Sequence, residues 1–180
     1  MRSLIALLLL TQTALAEGIC PAVPDHAAER ARIMVILSHA RDVTEAQFMA
    51  DQLWQIWTDA PDARAQALLD DGMQRRLAGD YAGSRAVLDE LVAYCPAYAE
   101  GWNQRAFAAF LAQDYAAALT DLDVALGIMP DHVAALSGKA LTLIGMGRND
   151  EAQAVLRAAV KLNPWLGERA LLVEPPGQDI

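Results

Sequence analysis

The sequence predicts an all-α chain of stacked helical hairpins, and three observations lead there. Pro96, Pro130 and Pro164 recur at a fixed step of 34 residues, a length that suits one helix-turn-helix unit. Four further columns keep that step: Gly72, Ala106 and Ala140; Ser84, Ala118 and Ala152; Leu88, Leu122 and Leu156; Leu91, Ala125 and Ala159. Aromatic residues make up only 6% of a chain that is 54% hydrophobic, so its apolar content is largely alanine and aliphatic. Close-packed helices use such side chains better than twisted sheets do.

The first element in order is a leader. Arg2, the apolar run Leu4 to Leu10 and the small residues of Ala14-Leu15-Ala16 form the three regions of a secretory signal peptide over residues 1–16. A membrane anchor needs about 20 apolar residues, and Thr11, Gln12 and Thr13 interrupt the run first. Cleavage implies an exported protein, periplasmic or secreted, with no stable membrane insertion afterwards. Removing Arg2 takes the net charge from −9 to −10. A balance this acidic works against neutralising phosphates, so neither nucleic acid nor anionic lipid is expected as a partner.

Residues 17–30 form an N-terminal lead containing Cys20. Ile19 precedes that cysteine where a lipoprotein signal would place a small residue, so lipidation is not expected. The only other cysteine is Cys95, and an oxidising compartment allows a Cys20–Cys95 disulfide; the alternative is two unrelated thiols.

Residues 31–64 carry a divergent copy of the repeat. Ser38 and Ala50 fall in the small columns, Trp54 and Trp57 replace Leu and Ala, and Pro61 misses its place by one. Thr44 with Gln47 reads as a capping box, and Ala46, Met49, Ala50, Leu53 and Ile56 continue the helix. Three regular units follow over 65–98, 99–132 and 133–166. Small residues let the two helices of each unit approach closely while Leu fills the space beside them. Turns are expected at Ala78-Gly79-Asp80, Ala112-Gln113-Asp114 and Gly145-Met146-Gly147, and the closing Pro ends each second helix. Tyr81 and Tyr115 follow the turns, whereas the third unit has Asn149. Residues 165–174 suit a solvating cap helix, with Leu166, Ala170 and Leu171 opposite Glu168 and Arg169. Residues 175–180, opened by Pro175-Pro176-Gly177, form a polar tail.

Small residues at the eighth and twentieth positions, Leu at the twenty-fourth, Pro at the thirty-second and Trp102 at the fourth of the middle unit resemble the tetratricopeptide repeat. With its leader, the chain resembles small periplasmic repeat proteins of Gram-negative bacteria. The resemblance implies a right-handed α-solenoid, with residues 31–64 as a degenerate unit of the same kind. It also implies a concave groove lined by the second, fifth, ninth and twelfth positions of each first helix. These are Gln66, Leu69, Met73 and Arg76; Glu100, Asn103, Phe107 and Phe110; Ala134, Ser137, Leu141 and Ile144. The apolar members suit a peptide or protein partner, oriented by Arg76 and Asn103. The competing reading has the groove covered by the divergent unit or the tail. Some members clamp terminal carboxylates with Lys, Arg and Asn at the fifth and ninth positions. Here Leu69, Met73, Phe107, Ser137 and Leu141 leave Asn103 alone, and such a clamp is not expected.

No constellation recommends an enzyme. His26, His39 and His132 are far apart and lack metal-binding spacing, so neither a metal nor a cofactor is expected. Ser137-Gly138-Lys139 lacks the rest of a phosphate loop, and Asp121 and Asp123 read as a solvated helix face. The expected function is a non-catalytic interaction module or scaffold. The alternative is a spacer or self-associating module in which Trp54 and Trp57 pack against another copy.

Overall fold

The computed structural model describes residues 19–173; the expected leader and polar tail lie outside them. Eight α-helices follow one another: α1 Ala27–Ser38, α2 Val43–Trp57, α3 Ala63–Leu77, α4 Tyr81–Tyr94, α5 Ala99–Leu111, α6 Tyr115–Ile128, α7 Val133–Gly145 and α8 Asn149–Leu162. There is no strand among the described residues, and no described helix is long and apolar enough to cross a membrane.

Helices α3 to α8 are three hairpins stacked in order, each helix packing on the next. The small columns explain the close approach. Ser84, Ala106, Ala118, Ala140 and Ala152 are all buried, and the Ser84 hydroxyl donates to the Gly72 carbonyl at 2.7 Å. A Cβ at Gly72 would lie 2.6 Å from Leu88 Cγ, so the first unit needs glycine where the others accept alanine. Each intra-unit turn places one residue in the left-handed region, Gly79 at φ 81°, Gln113 at 60° and Gly147 at 74°. Asp80 and Asp114 then cap α4 and α6, accepting from the N–H groups of Gly83 and Ala117. The third unit has Arg148 there, which pairs with Glu151 instead. Asp121, expected on a solvated face, is buried and takes two hydrogen bonds from Arg105, which also reaches Asp89.

The divergent segment departs from expectation. Helix α1 starts at Ala27, and α2 is capped by Asp42, whose carboxylate accepts from Glu45 N–H; the boundary lies two residues before Thr44. The pair does not stack on α3 as another unit. It lies as a strap along the edge where the Pro corners of the array sit. Ile33, Met34, Leu37, Met49, Leu53 and Trp57 form a separate core that closes on Met129, Val133, Leu162, Trp165 and Leu166 from the later units.

One repeat column supplies the seat. Tyr98 and His132 are the N-cap residues of α5 and α7, and Leu166 occupies the same place ahead of a 3₁₀ helix at Gly167–Leu171. Tyr98 donates to the Trp57 carbonyl at 2.7 Å, the His132 ring stacks on Trp57 with centroids 4.3 Å apart, and Leu166 joins the strap core. The expected cap helix over 165–174 is thus one short 3₁₀ helix that begins in register with α5 and α7 and stops. The base of the strap is tied twice: Cys20 is bonded to Cys95, and Tyr94 donates to Asp62 at 2.6 Å.

Candidate functional site

The inner wall of the array is built by the first helices α3, α5 and α7, and the strap reaches it through Trp54. Between them lies a cavity of about 280 Å³. Of the residues expected in the groove, Arg76, Asn103, Phe107, Phe110, Ala134, Ser137 and Leu141 line it. Helix spacing brings them together: positions four or three apart on α5 and α7 share a face, and Arg76 arrives on the last turn of α3.

The others fall elsewhere. Leu69 is fully buried in the core with Leu88 and Leu91, and Met73 packs against that cluster. Gln66 accepts from Ala60 N–H and donates to Asp70, beside the strap's exit. Ile144 lies outside the cavity wall. Glu100 is buried and engaged: Gln104 and Asn103 donate to its oxygens at 2.6 and 3.1 Å, and His132 Nε2 stands 2.8 Å from Oε2. His132 Nδ1 accepts from Ala135 N–H, which leaves the ring hydrogen on Nε2 for Glu100. This network replaces a groove contact with a support beneath the wall.

Eight wall residues were absent from the sequence reading of the groove: Gln104, Ala106, Leu122, Gly138 and Thr142 within the repeat units, and three from outside the helices of the array. Trp54 projects from the strap, and Leu166 and Glu168 come from the segment after α8. Trp54 did carry a signal, since an indole in a column that elsewhere buries Leu cannot pack as those leucines do. Trp57, offered for contact with another copy, is buried against His132 within the chain.

Electrostatically the cavity holds one cation against apolar walls. Arg76 lies with its guanidinium carbon 4.3 Å from the Phe107 ring centroid. Its Nε is buried and has no hydrogen-bond partner among the described residues. Burial pushes its pKa below the ordinary arginine value, and the nearby Glu100 charge opposes that shift. Elsewhere, burial chiefly raises the Tyr98 phenol, consistent with its service as a fixed donor to Trp57. No group of three or more His, Cys, Asp or Glu side chains among the described residues could hold a metal.

Comparison with known proteins follows the same outline. Residues 109–164 match the tetratricopeptide repeat family. A TPR repeat-containing protein of Rhizobium etli is 32% identical over 115 residues, 64% of this chain, and the match spans 56% of that relative's length. Among solved structures, the TPR2B domain of yeast Sti1 in complex with an Hsp70 peptide aligns with a TM-score of 0.55 at 23% identity, over 56% of this chain and 81% of its own. The first TPR of Spaghetti, bound to an HSP90 peptide, aligns at 0.59 and 19%, over 60% and 86%. A MamA mutant aligns at 0.52 and 16%, over 78% and 98%. At these identities the structures speak for the fold.

Proposed function

We propose that the chain, whose residues 109–164 match the tetratricopeptide repeat family, is a non-catalytic interaction module of the cell envelope that holds a peptide or protein partner against the inner wall of its array. The carrying observation is the apolar wall of Phe107, Phe110 and Leu141, left partly exposed between the strap and the last unit. The TPR domains of yeast Sti1 and Spaghetti hold Hsp70 and HSP90 peptides, which supports peptide capture as the class of function here. Export is supported by the leader-like residues 1–16 and by the Cys20–Cys95 bond, which persists in oxidising compartments. The ten net negative charges of the processed chain favour encounter with a basic partner.

A photo-crosslinking side chain placed at Phe107 tests this in the native envelope, with Thr120 on the outer helix α6 as control. Adducts with a defined partner at position 107 and none at 120 are expected; equal yields at both would remove the groove reading. A self-associating module keeps one observation in its favour, the exposed Val35 and Phe48 on the strap. A monomer mass independent of concentration by analytical ultracentrifugation would end it.

A further inference from the structure

We propose that the cavity between Trp54 and the inner wall is a small-molecule site that takes a carboxylate with an aryl or alkyl body, the carboxylate on Arg76 and the body on Phe107, Phe110 and Leu141. The inference does not depend on peptide capture. It starts from a charge without a hydrogen-bonded or ion-paired counterpart among the described residues. Arg76 is partly buried, its Nε lacks an acceptor, and its guanidinium already leans on the Phe107 face.

The acids nearby do not serve it. Glu100 is occupied on Oε1 by Gln104 and on Oε2 by Asn103 and His132. Glu168 stands on the cavity wall and makes no ion pair with Arg76. The Arg76 side chain stands on the cavity wall without an ion-pair partner among the described residues, and an anion that enters with its own apolar body supplies that partner while covering the ring faces. The planar fork of arginine suits a carboxylate, which can accept two N–H bonds at once.

Size and enclosure select the occupant. The volume of about 280 Å³ is near the lower end for small-molecule sites, roughly 300 Å³. Trp54 from α2 and Leu166 after α8 close the groove on two sides. A single ring with a terminal carboxylate is of a size for the space between them. The site also differs in position from the fifth and ninth places at which related repeats clamp peptide termini, since Arg76 is the twelfth residue of its unit and its partner is a ring.

The test is calorimetric titration of the disulfide-intact protein with 3-phenylpropanoate, its neutral amide, and a blocked tripeptide ending in Phe with a free carboxylate. Saturable binding of 3-phenylpropanoate is expected, at least tenfold tighter than the amide. Arg76→Gln should abolish that preference, Arg76→Lys should restore part of it, and Phe107→Ala should weaken acid and amide alike. Equal affinity for acid and amide, or binding of the tripeptide alone, would overturn the proposal. That comparison uses the unaltered protein, so it stands even if a variant fails to fold. Failure to crosslink a protein partner at position 107 while 3-phenylpropanoate still binds would sink the peptide reading and leave this one intact.

Discussion

The stacked units and the strap are both helical hairpins, yet they are held by different physics. In α3 to α8 the contacts repeat: Leu88, Leu122 and Leu156 are buried against small residues, and every unit meets its neighbour through the same columns. The strap makes one-off contacts, the Trp57 stack on His132, the Arg30 pair with Asp131 at 3.0 Å and the His26 bond to Asp59 at 2.6 Å. Buried polar atoms without partners follow the same division. Trp57 Nε1 lies at the strap seam, and Arg76 Nε and Gln104 Oε1 at the cavity. Repetition lets one packing solution serve three times, whereas the strap depends on a few large side chains and on the covalent tie at its base. The array is therefore expected to unfold as one body, and the strap to open before it.

The largest effect comes from breaking the array. Leu88→Ala removes a fully buried side chain beside Gly72 and should cost about 3 kcal/mol, because the tightly packed backbones around it can collapse only in part. Urea unfolding followed by far-UV circular dichroism should show α3 to α8 lost in a single transition at a lower midpoint, after the strap has opened. A split of that array transition in two would mean that the units are not one cooperative body.

Trp57→Ala should act on the strap alone. Global stability should change little, while losing the stack and the burial should make strap opening easier by about 3 kcal/mol, roughly a hundredfold in opening equilibrium. Native-state hydrogen exchange would report this as faster exchange in α1 and α2 with α5 to α8 unchanged. Equal acceleration throughout would erase the distinction between strap and array. Reduction of Cys20–Cys95 sharpens the same comparison. The bond spans 75 residues and its removal relaxes the unfolded chain by about 4 kcal/mol in the entropy model, so both transitions should shift, the strap's first.

The sequence spoke clearly where structure repeats. Columns 34 residues apart mark the helices, the left-handed turn positions and the Pro corners of α3 to α8 because each residue meets the same environment three times. The strap defeated that reasoning because Ser38 and Ala50 satisfy the small columns while Trp54 and Trp57 find partners on distant units. Nothing local identifies His132 or Leu166 as those partners. The site was half legible for the same reason. Arg76, Asn103, Phe107 and Leu141 follow from their helical positions, but Trp54 and Leu166 enter from outside the repeat, and Glu100 left the groove when His132 took its carboxylate. The Cys20–Cys95 bond was legible as a candidate since only two cysteines exist; its role in anchoring a strap was not.

The smallest predicted effect lies at the hinge between the two regions. Asp62 caps α3, accepting from Ala65 N–H at 2.8 Å, and accepts from the Tyr94 hydroxyl at 2.6 Å. The Ala65 hydrogen bond, then the Tyr94 bond, hold its carboxyl below the ordinary aspartate range, and the same bond raises the Tyr94 phenol. A depressed folded-state pKa means that the stabilisation is complete above the unfolded value, about 3.9, and is lost as pH falls through the folded one. Asp62→Asn should thus lower the melting temperature slightly at pH 7, and the gap from the unaltered protein should close as pH falls below the ordinary aspartate range. Asn still caps a helix, so the residual difference at neutral pH measures the charge on the bonds from Ala65 and from Tyr94, the latter being the link that ties the strap's exit to the first unit. A gap that persists unchanged into acid would assign the loss to packing and would make the hinge part of the array.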